Sequence, residues 1–160
     1  MPAERMAPFE RRALTLGEVA LARPLFADSV DYARVQVWQA PPLGFAAMAP
    51  FDWVVIYSAW PAARDFARAP LNEQGWFLHE LAHVWQAARG VFLPLAKLKA
   101  LGRAAYRYRL GRRTRFDGLN IEAQAEVARH LFLARAGKPA PEAAPLATLE
   151  AIWPVPQASV

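Results

Sequence analysis

Two different periods of apolar and polar residues divide this chain. Residues 16–26 recur with helical spacing, and Thr15 and Glu18 stand at the interval of a capping box. Pro24 limits or kinks the far end of that helix. From Tyr32 to Gln39 the period shortens to two, with Val35 and Val37 alternating with Arg34, Gln36 and Trp38, which predicts a strand ended by Pro41-Pro42. Residues up to Pro50 read as loop. Trp53–Tyr57, β-branched and aromatic throughout, predicts a buried strand bounded by Asp52 and Pro61.

The helical period returns between Glu73 and Arg89, where Phe77, Leu81, Val84 and Ala88 form one stripe. Asn72 is placed to cap the start and Gly90 to close the end. A basic helix is predicted from Pro94 to about Leu110, a turn-rich connection over Gly111–Gly118, and a further helix from Asn120 to Ala136. The last stretch, 137–160, holds five prolines and a short helix near Leu146–Ile152, and is expected to wrap the surface. Helix, strands, then helices predict a single α+β domain over 1–160 with a small sheet.

Composition narrows the class. With 160 residues, 55% of them hydrophobic, the chain can bury a core. Its uncharged stretches, 35–51 and 53–63, are broken by Gln, Ser or Pro and fall short of the ~20 apolar residues of a spanning helix, so no transmembrane segment is expected. Glu4, Glu10 and Glu18 sit early and Arg23-Pro24 interrupts the first apolar segment, unlike a secretory signal. The expectation is a soluble protein made in the cytoplasm; signal-independent export would leave no mark in this pattern. Cysteine is absent, so a metal would have to be held by His and carboxylate. The net charge of +5 is concentrated between Lys97 and Arg115, a stretch with eight cations and no acid.

The chemistry concentrates at His79-Glu-Leu-Ala-His83. On a helix, residues four apart lie only ~40° from each other, so both imidazoles can converge on one ion. Glu80 projects from the flank of that face, too far round to ligate easily and well placed to take a proton from a water at the metal. Gln86 falls on the same stripe, and Gly75 is expected to keep the stripe open on its other side. A catalytic zinc usually keeps three protein ligands. Glu122 and Glu126, four apart on the downstream helix, can supply the third and a carboxylate that orients a ligating His through its free N–H. The alternative for both is a pair of solvent-facing carboxylates.

His-Glu-x-x-His followed by a later Glu-x-x-x-acid helix resembles the gluzincin metallopeptidases, of which thermolysin is the best-known kind. Phe77-Leu-His-Glu-Leu-Ala-His-Val-Trp-Gln86 and Asn120-Ile-Glu-Ala-Gln-Ala-Glu-Val127 are similar to the two signature segments of a bacterial group of small, Vgr-related zinc-peptidase-like proteins linked to contractile secretion systems. Thr15-Leu-x-Glu18 and Val54–Tyr57 extend the likeness over residues 14–135. The resemblance implies a minimal zincin-like fold with an edge strand above the metal helix. It also implies Zn²⁺ on His79, His83 and Glu122, and Glu126 behind a ligating His. Glu126 departs from the Asp usual at that place.

The expected function is thus a zinc-dependent peptidase acting on a peptide or protein, with Glu80 as general base. The alternative is a non-catalytic zincin-like accessory or cargo protein of a secretion system that acts by binding partners. Tyr57, Tyr106, Tyr108, Arg115 and His130 are candidate donors for a carbonyl oxygen, with His130 first because it lies toward Glu122 and Glu126. The Trp53–Tyr57 strand is read as core before it is read as a pairing edge for a peptide. The basic stretch 97–115 reads first as a solvated face, then as a dock for an acidic partner or an anionic surface, and last as a nucleic-acid contact.

Overall fold

A computed structural model of the chain describes residues 3–156. Four strands form one mixed sheet: β1 (Arg11–Ala13), β2 (Gln36–Gln39), β3 (Ala47–Phe51) and β4 (Val54–Tyr57). Five helices surround it: α1 (Leu16–Phe26), α2 (Leu71–Ala88), α3 (Leu93–Lys99), α4 (Ile121–Arg135) and α5 (Leu146–Ile152). The architecture is α+β, as the periodicity predicts. No helix among the described residues is long and apolar enough to cross a membrane.

The sheet order is β1-β2-β4-β3, with β2 and β4 parallel at the centre (Val37 opposite Val55) and antiparallel strands outside. Val35, Val37 and Val55 are fully buried. Two edge strands escape the sequence pattern. β1 has only three residues, Arg11-Arg12-Ala13, without an apolar alternation. β3 contains Pro50, which cannot donate to a ladder, and its pairing with β4 shifts register between Met48 and Phe51. An edge strand tolerates both irregularities. The predicted strand from Tyr32 shortens to Gln36–Gln39 because Asp31 and Arg34 close a turn first.

α1 has its predicted capping box, and Glu18 does more than cap. Its buried carboxylate accepts from the Arg12 guanidinium at 2.6 and 2.8 Å, from the Thr15 N–H at 2.9 Å and from the Phe66 N–H at 2.9 Å. One side chain thereby ties α1, the first strand and the loop before α2. Pro24 sits in the last turn, and the helix ends two residues later.

α2 is buried almost all round from Phe77 to Gln86, packed between α4 and the β3–β4 side of the sheet. It begins earlier than predicted: the cap position is Pro70, so Asn72 lies within the first turn and does not cap. Gly90 follows the last turn at φ +90°, as its predicted role requires. Gly75 faces α4 rather than open space. A methyl group there would touch Arg129 Cγ at 3.4 Å and Leu133 Cδ2 at 3.5 Å.

The predicted long basic helix is also broken. α3 stops at Lys99, Gly102 takes φ +85°, and a 3₁₀ turn, Arg103–Tyr106, follows. The proline-rich tail does not merely lie on the surface. Leu149 is fully buried, and Trp153 packs against Phe26, Trp85 and Phe116 while its Nε1–H donates to Leu25 O at 2.8 Å. Trp153→Ala should therefore cost about 3–5 kcal/mol of unfolding free energy, measured by denaturant titration. A loss within 0.5 kcal/mol would make the tail an ornament.

Candidate metal centre

The two helices place three acceptor atoms around one point. Glu122 Oε2 on α4 lies 3.2 Å from His79 Nε2 and 3.1 Å from His83 Nε2 on α2. All three side chains are buried. Asn120 starts α4 by accepting from the Ala123 N–H, which sets Glu122 in the first turn, facing α2.

The far side of each imidazole fixes what its near side offers. Gln86 Nε2 donates to the Ile121 carbonyl at 2.9 Å and to Gln124 Oε1 at 2.9 Å, so its amide oxygen must face His83 Nδ1, at 2.8 Å. Gln124 is locked in turn by donating to the carbonyls of Phe116 and Leu119. His83 Nδ1 therefore carries the proton, and its Nε2 presents a lone pair. His79 Nδ1 lies 2.8 Å from Glu126 Oε1, and because that carboxylate can only accept, Nδ1 carries the proton here too and the His79 Nε2 lone pair turns inward. With both rings neutral, two nitrogen lone pairs and a carboxylate oxygen would confront one another without a proton between them. Such a cluster is stable only around a positive charge, and a divalent cation fits the donor set.

A proton can stand in for that cation. Burial pushes the His79 imidazolium down, but hydrogen bonds to Glu122 and Glu126 outweigh it and raise its pKa to about 9 from 6.5. Burial likewise works against the Glu122 carboxylate, and the two histidines overcome it, holding the group far below the usual range. Glu126 is held at about 2, with hydrogen bonds from His130 and His79 outweighing its burial. Lys97 Nζ approaches Glu122 Oε1 at 3.5 Å.

His130 is not beside the three converging atoms. It sits behind Glu126, with Nδ1 2.6 Å from the Tyr108 hydroxyl and Nε2 3.2 Å from Glu126 Oε2. Glu126, His130 and Glu142 form a second cluster of possible ligands, but Arg129 Nη1 lies 2.9 Å from Glu126, 3.3 Å from His130 and 3.9 Å from Glu142. A guanidinium already supplies the positive charge there. Of the other candidate donors, Arg115 is exposed at a turn and Tyr108 is committed to His130. Tyr106 is at the centre, its ring stacked on His79 at 5.6 Å and 14°. Burial raises its hydroxyl well above the usual phenol range, and the Glu122 and Glu80 carboxylates add to the rise.

Glu80 is buried and its Oε2 has no hydrogen-bond partner among the described residues. It faces a cleft of about 770 Å³ whose wall includes Tyr57, Trp60, Trp76, Tyr106 and Ala47 of β3. Tyr57, whose hydroxyl is also buried and has no hydrogen-bond partner among the described residues, is a core residue of the central strand β4, so β3 is the strand left at the edge. Sequence reasoning did not single out Gln124, Arg129, Lys97 or Trp76. Gln124 and Arg129 had a readable signal, lying two residues after Glu122 and three after Glu126.

No protein-family model matches the chain. It is 33% identical over 134 residues to the type VI secretion system spike protein VgrG2b of Pseudomonas aeruginosa, an alignment covering 76% of this chain and 13% of that protein. Among solved structures it is similar to the effector domain of Pseudomonas aeruginosa VgrG2b, with a TM-score of 0.67 and 28% identity over 88% of this chain and 80% of that one. The likeness is to one domain of a much longer spike protein.

The raised His79 pKa sets a sign for metal uptake. Because the folded value of about 9 exceeds 6.5, the proton stabilises the metal-free protein fully below about pH 6.5 and is lost as pH rises through 9. A cation must displace it. Zn²⁺ affinity, measured by chelator competition, should climb about tenfold per pH unit between 7 and 9. A flat profile would mean that His79 is not a ligand.

Proposed function

We propose that this chain is an effector-type domain associated with a type VI secretion apparatus, and that it is a zinc-dependent peptidase with a zincin-like fold. The similarity to the spike protein and its effector domain supports the first part. The second part is supported by one observation above the rest: a buried carboxylate oxygen of Glu80, without a hydrogen-bond partner among the described residues, on the residue that follows His79 and lines the cleft. Native proteins rarely leave such an atom without a partner, and an acceptor waiting for a substrate proton accounts for it.

The donor set of two imidazoles and one carboxylate suits Zn²⁺, with His79, His83 and Glu122 as ligands. Bound there, Zn²⁺ supplies Lewis acidity that acidifies a water and polarises a carbonyl. The chain's own residues do the rest. Glu126 and Gln86 hold the two rings in the tautomer that exposes Nε2. Glu80 Oε2 accepts the proton of the attacking water and returns it to the leaving amine nitrogen. The Tyr106 hydroxyl, over His79, donates to the carbonyl oxygen as it gains charge. The free edge of β3 offers backbone groups to an extended peptide lying along the cleft.

A second reading, an accessory or cargo protein that acts by binding partners, is favoured by the likeness to a type VI secretion spike protein and its effector domain. Two variants separate the readings. Glu80→Gln should retain zinc and lose 10²–10⁴-fold in turnover of a peptide library. Tyr106→Phe should lose about 10²-fold in kcat with little change in metal content. Wild-type protein with a full complement of zinc and no turnover on any peptide would establish the second reading.

A further inference from the structure

α3 is an unusual helix for a protein surface. It rests on the body through Leu93, which is 1% exposed, and turns its other large apolar side chains outward: Leu95 is 50% exposed and Leu98 65%. Phe92, just before it, is 67% exposed and Leu101, just after, 71%. At about 100° per residue, 92, 95 and 98 spread over an arc of ~120° whose centre is roughly opposite Leu93. This arc is built to be covered by something apolar.

The surrounding charge says what. Between residues 81 and 116 there is no acidic residue and there are nine cations. Lys97 reaches Glu122 and Arg89 lies over the Trp85 ring. Lys99, Arg103, Arg107 and Arg109 are exposed and make no ion pair among the described residues. An arc of leucine and phenylalanine followed along the chain by exposed cations, three of which line a neighbouring cleft that also holds Glu126 and Glu142, matches a surface that is anionic at its face and apolar beneath. Lipid headgroups over acyl chains have that layering, and they accept it without a shape-matched partner. We infer that Phe92, Leu95, Leu98 and Leu101, with the cations that follow, form a docking surface for an anionic lipid membrane.

This surface stands apart from the catalytic proposal, since none of the four apolar residues lines the Glu80 cleft. Binding to membranes should therefore survive Glu80→Gln, and hydrolysis of a soluble peptide should survive loss of the arc.

The test is flotation of the whole chain with phosphatidylglycerol–phosphatidylcholine vesicles and with phosphatidylcholine vesicles alone. Wild type should partition to the anionic vesicles at least tenfold more, with the preference falling at high salt. Leu95→Glu/Leu98→Glu should reduce that binding at least tenfold. Arg107→Gln/Arg109→Gln should reduce it about fivefold for each cation removed. All these side chains are exposed, so an unchanged melting temperature and zinc content would show that the variants fold.

Three results would overturn the inference. Wild type could bind neither vesicle. The leucine variant could bind anionic vesicles as well as wild type, leaving only electrostatic adsorption. Or wild type could be a dimer in solution that the leucine variant dissolves, making the arc an interface between copies.

Discussion

Two imidazole nitrogens, the Nε2 of His79 and the Nε2 of His83, lie 3.2 and 3.1 Å from one oxygen of Glu122 in a buried place. Like lone pairs do not gather away from water unless a positive charge sits among them. In the metal-free molecule a proton on His79 answers that demand. A divalent cation answers it better, because it faces all three donors at once while a proton is shared by two. The remainder of the domain can be understood as what is needed to keep these atoms together.

That support comes in layers. Gln86 and Gln124 form a relay anchored on backbone carbonyls, which fixes the His83 ring. Behind His79, Glu126 is itself gripped by Arg129 and His130, and Trp76 lies under the Arg129 guanidinium at 4.2 Å. Close packing of α2 on α4 past Gly75 brings the two sets of candidate ligands into range. The aromatic cluster of Phe26, Trp85, Phe116 and Trp153 then secures the outer end of α2 against the tail.

Much of this was legible in the residues. The helix carrying His79 and His83 announces itself by period and by its closing glycine, and Asn120 marks the start of the helix that brings Glu122 and Glu126. The pairing of those carboxylates with the two imidazoles follows from four-residue spacing on both helices. The edge strands were not legible, because pairing there comes from backbone geometry in spite of Arg11-Arg12 and Pro50. The predicted basic helix runs past its true end because Gly102, at φ +85°, breaks a run of good helix formers. His130 does lie toward Glu126, as its position on the helix predicts, but its hydrogen bond to Tyr108 is not legible because Tyr108 comes from a separate turn-rich segment. The pairing of Glu18 with Arg12 is hidden because it depends on β1, a three-residue strand with no apolar alternation to reveal it.

The central claim is that one zinc ion is held by two imidazoles and one carboxylate of this chain. X-ray absorption spectroscopy on the zinc-loaded protein, paired with metal analysis, tests it most directly. The account predicts one zinc per chain, with two imidazole nitrogens at about 2.0–2.1 Å and the remaining ligands oxygen. It also predicts that His79→Ala and Glu122→Ala each bring the metal content well below one. A full equivalent of zinc retained in both variants, or a spectrum without histidine scattering, would contradict it.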